Sequence, residues 1–139
     1  MLTFDDIRNN EEIRTYIRKG NENLGVLGFT EHAFAHAKRA SQTAAEILAK
    51  LGYSEREIEL ARIAGYMHDI GNCINRTDHA HTGALMAMNI LRGMGMAPQD
   101  MAVVIAAIGQ HDEKTGTAVD ANPALLRISN RPPVSGSPS

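Results

Sequence analysis

Apolar residues recur every three or four positions along most of this chain, and period-two alternation is almost absent. The pattern therefore predicts helices throughout. A first segment runs through FDDIRNNEEIRTYIRKG, capped by Thr3, acidic at its start, basic at its finish and ended by Gly20 or Gly25. The second spans Thr30 to Leu51, with Ala33, Ala37, Ala40, Ala44, Ile47 and Leu51 on one face and Gly52 as its stop. Ser54 and Glu57 form a capping-box pattern that opens a third helix to about Ile70, with Ile58, Ala61, Gly65 and His68 in one stripe and Gly71 as terminator. After the loop NCINRTD, a fourth helix runs from about Asp78 to Arg92 and breaks at GMGM. Pro98 suits the first turn of a fifth helix, which reaches about His111 with Met101, Val104, Ile105 and Ile108 facing inward. Asn122 and Pro123 begin a sixth that is cut short. The expectation is an all-α bundle of about five to six helices forming one domain over residues 1–130. The Pro- and Ser-rich residues 131–139 read as a disordered tail.

Composition narrows the function classes. Apolar residues make up 43% and charged residues 22% of the 139, which suits a globular domain with an ordinary core. Lys and Arg number 14 against 16 Asp and Glu, a net charge of −2, so there is no basic footprint for general nucleic-acid or membrane-surface binding. No apolar run approaches the ~20 residues of a membrane span, and the acidic N-terminus lacks a signal-peptide layout. These features place the protein in the cytoplasm. The single cysteine, Cys73, has no internal disulfide partner and reads as a small apolar residue. The methionines at 86, 88, 94, 96 and 101 read as adaptable core filler.

The chemistry concentrates in AGYMHDIGNC, where His68 and Asp69 close a helix-periodic run. An acid at a helix C-terminus opposes the macrodipole, so local stability does not account for it. Neighbouring helical side chains diverge by about 100°. At a helix end, however, such a pair can approach one ion from two sides, and the two carboxylate oxygens can bridge two ions. The other histidines stand at 32, 36, 79, 81 and 111, at helix ends or on faces that the periodicity turns inward. Imidazole combined with carboxylate suits borderline divalent metals: Mn, Fe, Co, Ni or Zn.

These residues resemble the HD-domain metal-dependent phosphohydrolases, named for the His-Asp doublet. The resemblance covers Thr30 to Gly116: EHAFAHAKRASQTAAEILAKLGYSEREIELARIAGYMHDIGN, then DHAHTGALMAMNILRGMGM, then AAIGQHDEKTG. It points to His36 as the early ligand, with His32 one turn upstream as competitor, and to His79 ahead of His81, because His79 precedes Gly83 by four residues. In the last segment it points to His111, with Asp112 where a second histidine often sits. The resemblance implies a first metal on His36, His68 and Asp69, and a second on Asp69, His79 and His111 with Asp112 as a further donor. His32, Arg39 and Arg76 would position the phosphate. Lys38 also flanks His36, although a helical lysine or arginine is more often simply solvated. The implied reaction is hydrolysis of a phosphomonoester or phosphodiester by metal-activated water, on a nucleotide or signalling nucleotide.

Two departures stand out. Many members carry lysine directly after HDIG, where this chain has Asn72, leaving Arg76 to supply the charge. The family usually closes its site with an aspartate near the position of Ser129. Both departures favour the alternative, a catalytically inactive metal- or ligand-binding regulatory module. A short sixth helix would leave apolar surface uncovered and favour a homodimer.

Overall fold

The structure is a computed structural model that describes residues 1–23, 30–75 and 77–109, and among them every regular element is helical. In chain order these are α1 (Phe4–Arg8), α2 (Glu11–Asn23), α3 (Thr30–Lys50), α4 (Glu55–Met67), a 3-10 helix (Ile70–Cys73), α5 (His79–Gly93) and α6 (Pro98–Gly109). The fold is all-α, as the periodicity predicts.

Helix α4 is the central post. Leu60, Ala61, Ile63, Ala64, Gly65, Tyr66 and Met67 are all buried along it, as befits a helix apolar on nearly every side. Its start follows the predicted capping box: Ser54 Oγ accepts from Glu57 N–H at 3.1 Å, and the Glu57 carboxylate accepts from Ser54 N–H at 3.2 Å. Replacing Ser54 with alanine is expected to cost about 1 kcal/mol in urea unfolding, because the Glu57 amide loses its acceptor. Arg56 fastens the same end of α4 by donating to Asp100 of α6 at 2.8 Å and to the Leu2 carbonyl at 2.8 Å.

Small residues let α3 lie directly against α4. Ala37, Ala40, Ser41 and Ala44 are buried on α3, and a Cβ built on Gly65 would stand 2.7 Å from the Ala40 carbonyl oxygen. The expected stop holds, with Gly52 at φ +84 and Tyr53 N–H donating to the Leu48 carbonyl. Leu51, however, is 52% exposed and Leu48 takes the core position, because the chain has left the helix by residue 51 and the apolar row no longer follows its period.

Two expectations at glycines need correction. The first predicted helix is two, because Asn10 accepts from the Ile13 amide at 2.9 Å and opens α2 afresh. Gly20 then lies inside α2 and ends nothing, and the alternative stop, Gly25, lies outside the described residues. A Cβ there would be 3.2 Å from Asn72 Cβ and 3.3 Å from Cys73 N, so its bareness lets α2 pack against the 3-10 helix. Gly71 likewise is no terminator: α4 ends at Met67, and Gly71 sits within the 3-10 helix against the start of α5.

Residues assigned from sequence to a sixth helix, and the 131–139 tail, lie outside the described residues.

Candidate metal centre

His68 caps the C-terminal end of α4 and Asp69 follows it directly, before the 3-10 helix begins. The Nδ1 of His68 lies 2.7 Å from the Gly65 carbonyl. A carbonyl only accepts, so Nδ1 carries the hydrogen and the lone pair of the neutral ring is on Nε2. That Nε2 faces Asp69 Oδ2 at 3.2 Å. From α3, His36 brings its Nε2 to 3.0 Å from the same oxygen. His79, the first residue of α5, places its Nε2 3.0 Å from the other oxygen, Oδ1.

The Asp69 carboxylate is therefore shared, with Oδ2 turned to the His36 and His68 pair and Oδ1 to His79. His68 and His79 are buried, whereas a third of the Asp69 side chain remains open to solvent, so the cluster has an accessible side.

The electrostatics favour a cation here. Burial alone would raise the Asp69 carboxyl, but the charge of His68 and hydrogen bonds from His36, His68 and His79 hold it well below the usual carboxylate value. Burial alone would lower the His68 imidazole, but the Asp69 charge and hydrogen bond and the Gly65 carbonyl outweigh it and hold His68 above its ordinary value. In the neutral cluster the Nε2 lone pair would point at a carboxylate oxygen, so a proton or a metal ion must lie between them. Donor atoms of His36, His68 and Asp69 lie within 4.8 Å of one another, a span that one ion can fill. The nitrogen and oxygen donor set suits borderline divalent metals.

Glycines place these groups. Gly65 permits the α3–α4 contact one turn from both His36 and His68. A Cβ on Gly71 would fall 2.0 Å from the His79 carbonyl oxygen and 2.7 Å from Gly83 N. Only a bare α-carbon there lets the start of α5 bring His79 to Asp69. No periodicity signals this role, because the contact lies between segments remote in sequence.

The chain matches the HD-domain family model over residues 33–134. It belongs to the HD-domain family. Within the HD domain, the residues that the structure brings together are His36, His68, Asp69 and His79. His81 does not join them: it points to solvent, 72% exposed, and pairs with Asp78 at 2.9 Å. The inward orientation expected of the histidines therefore fails at His81, which lies about 200° round the helix from His79. Arg39 is exposed on α3. The side chain of His32, together with Arg76, His111, Asp112 and Ser129, lies outside the described residues.

Among curated proteins, the HD domain is similar to "Uncharacterized protein MJ1020" of Methanocaldococcus jannaschii, at 25% identity over 67% of this chain. The chain spans 42% of that relative's length. No solved structure matches. No described helix is long and apolar enough to cross a membrane.

Proposed function

We propose that this HD domain is a metal-dependent phosphohydrolase that cleaves a phosphomonoester or phosphodiester of the nucleotide or signalling-nucleotide class. The observation that carries the reading is the divided Asp69 carboxylate, with two imidazole nitrogens against one oxygen and a third against the other. His36, His68 and Asp69 would hold one divalent ion. Asp69 and His79 would hold a second, joined by His111 and Asp112. A divalent ion bound there acidifies water and neutralises charge on phosphoryl oxygens. The hydrogen bond from His68 Nδ1 to the Gly65 carbonyl fixes the ring so that Nε2 remains a donor atom.

Arg39 is the described cation best placed to meet the phosphate. It follows His36 by three residues, one turn along α3, and helical side chains lean toward the N-terminus, which tilts Arg39 back toward His36. It has no ion pair among the described residues. His32 and Arg76 would complete the phosphate-facing set. Replacing Arg39 with alanine is expected to raise KM for a phosphoester about tenfold and change kcat less, the loss of one charge-assisted hydrogen bond to substrate.

The direct test is hydrolysis of p-nitrophenyl phosphate and bis-p-nitrophenyl phosphate by protein loaded with manganese or nickel. Metal-dependent turnover supports the phosphohydrolase. Asn72 favours the second reading, an inactive module: its side chain is buried against α2 at the position where a substrate-binding lysine often stands. A metal that raises the melting temperature without any turnover would support that reading.

A further inference from the structure

A second cluster of charge lies away from the Asp69 centre, on the surface between α2 and α3. The guanidinium carbon of Arg14 lies 4.5 Å from the centre of the Phe34 ring, and that of Arg18 lies 6.0 Å from the same centre. These arginines are four residues apart on α2 and share one face of it. Lys38 stands four residues after Phe34 on α3, so it shares the Phe34 face and leans back toward the ring. His36 lies about 200° round α3 from Phe34 and Lys38 about 200° from His36, which puts this cluster across α3 from the metal ligands. Lys38, which the sequence sets beside His36, thus belongs to this face.

The cations are poorly compensated by the described side chains, which do not include that of Glu31, one turn before Phe34. Among the described residues, neither Arg14, Arg18 nor Lys38 makes an ion pair with a carboxylate. The acids nearest along α2 are otherwise placed: Glu12 accepts from Tyr16 at 2.9 Å, Glu22 pairs with Lys19 at 3.7 Å, and Glu11 is exposed in the first turn. Arg14 and Arg18 are half-buried, so their charges are less screened than those of freely solvated side chains. Phe34 holds the two planar groups in place, which lowers the ordering cost of binding an anion. Repulsion between like charges crowded on one ring is relieved when a multivalent anion joins them.

We infer that Arg14 and Arg18, held on Phe34, together with Lys38 one turn further along the same face of α3, form an anion site for a multivalent phosphate, separate from the metal centre. The chemistry that it recognises is a diphosphate or triphosphate group, read by guanidinium forks and an ammonium. A ligand held there would contact α2 and α3 together. Because α2 also abuts Asn72 and Cys73 through Gly20, the site is mechanically joined to the segment that follows the His-Asp doublet.

The test uses inorganic pyrophosphate on metal-free full-length protein carrying Asp69→Ala, so that the metal centre cannot contribute. Calorimetry at low salt is expected to show saturable binding that weakens as salt rises. The double variant Arg14→Gln, Arg18→Gln in the same background is expected to bind at least about tenfold more weakly, the loss of charge-assisted hydrogen bonds. No saturable binding, or equal binding by the double variant, overturns the inference. A readout independent of variant folding is phenylglyoxal labelling of the wild-type chain, located by peptide mass spectrometry. Pyrophosphate should protect Arg14 and Arg18 but leave Arg92, exposed on α5, equally reactive; uniform protection, or none, overturns the site. Failure of phosphoester hydrolysis would leave these outcomes unaffected.

Discussion

Replacing Asp69 with alanine is expected to give a folded helical protein that retains no stoichiometric divalent metal and loses phosphoester hydrolysis by on the order of a thousandfold or more. The size follows from the several kcal/mol that a metal contributes to stabilising phosphoryl charge, at tenfold in rate per ~1.4 kcal/mol. Asp69 has this leverage because both its oxygens are committed, one to His36 and His68 and the other to His79. Removing it takes the shared ligand from both proposed ions, whereas removing any one histidine takes a donor from one of them. Asp69→Asn should behave almost as badly, since the amide keeps the shape and discards the negative charge. Elemental analysis of purified protein, alongside circular dichroism to establish folding, checks this. An Asp69→Ala protein with the wild-type metal ratio would remove the carboxylate from the proposed site.

Gly71→Ala is expected to be the most damaging single-methyl substitution among the described residues, destabilising the domain by ~3 kcal/mol and displacing His79 from Asp69. The added Cβ would fall 2.0 Å from the His79 carbonyl oxygen and 2.7 Å from Gly83 N. Both are backbone atoms and neither can swing aside, so α5 must move as a body. Metal affinity should fall with stability, which separates this effect from ordinary core overpacking. Gly93→Ala is the control: it closes α5, no atom beyond its chain neighbours and its own helix backbone lies within 4 Å of its added Cβ, and its φ is not positive. That change is expected to be neutral or stabilising by up to ~1 kcal/mol. Urea unfolding and metal titration of the two variants together check the argument; a Gly71→Ala protein as stable as the control would refute it.

The helical class, the ends of α3 and α5, the start of α4 and most core positions were legible from the sequence, because each depends on local rules. Ser54 and Glu57 make their reciprocal bonds within one turn, Gly52 takes its left-handed conformation alone, and apolar spacing reports helix faces directly. The doublet was legible too, because an acid at a helix end runs against the macrodipole and needs another partner. Its relation to His36 and His79 was legible only through the family resemblance. Nothing local to His36 distinguishes its place beside Asp69 from an unremarkable position on an alanine-rich helix.

What only the tertiary structure decided is which bare α-carbons hold the site together and which cations stand together. Gly20 and Gly71 looked like helix ends, because along the chain a glycine reports its backbone freedom and not its neighbours. Across the fold they are contact points, where α2 meets the 3-10 helix and the start of α5 meets it from another side. Likewise Arg14 and Phe34 lie far apart in sequence and meet only because α2 packs on α3. The sequence by itself determined the helices and the ligand types, which depend on interactions within a turn or two. The division of the Asp69 oxygens depends on distances between helices, and those are set by how closely side chains, or their absence, allow two backbones to approach.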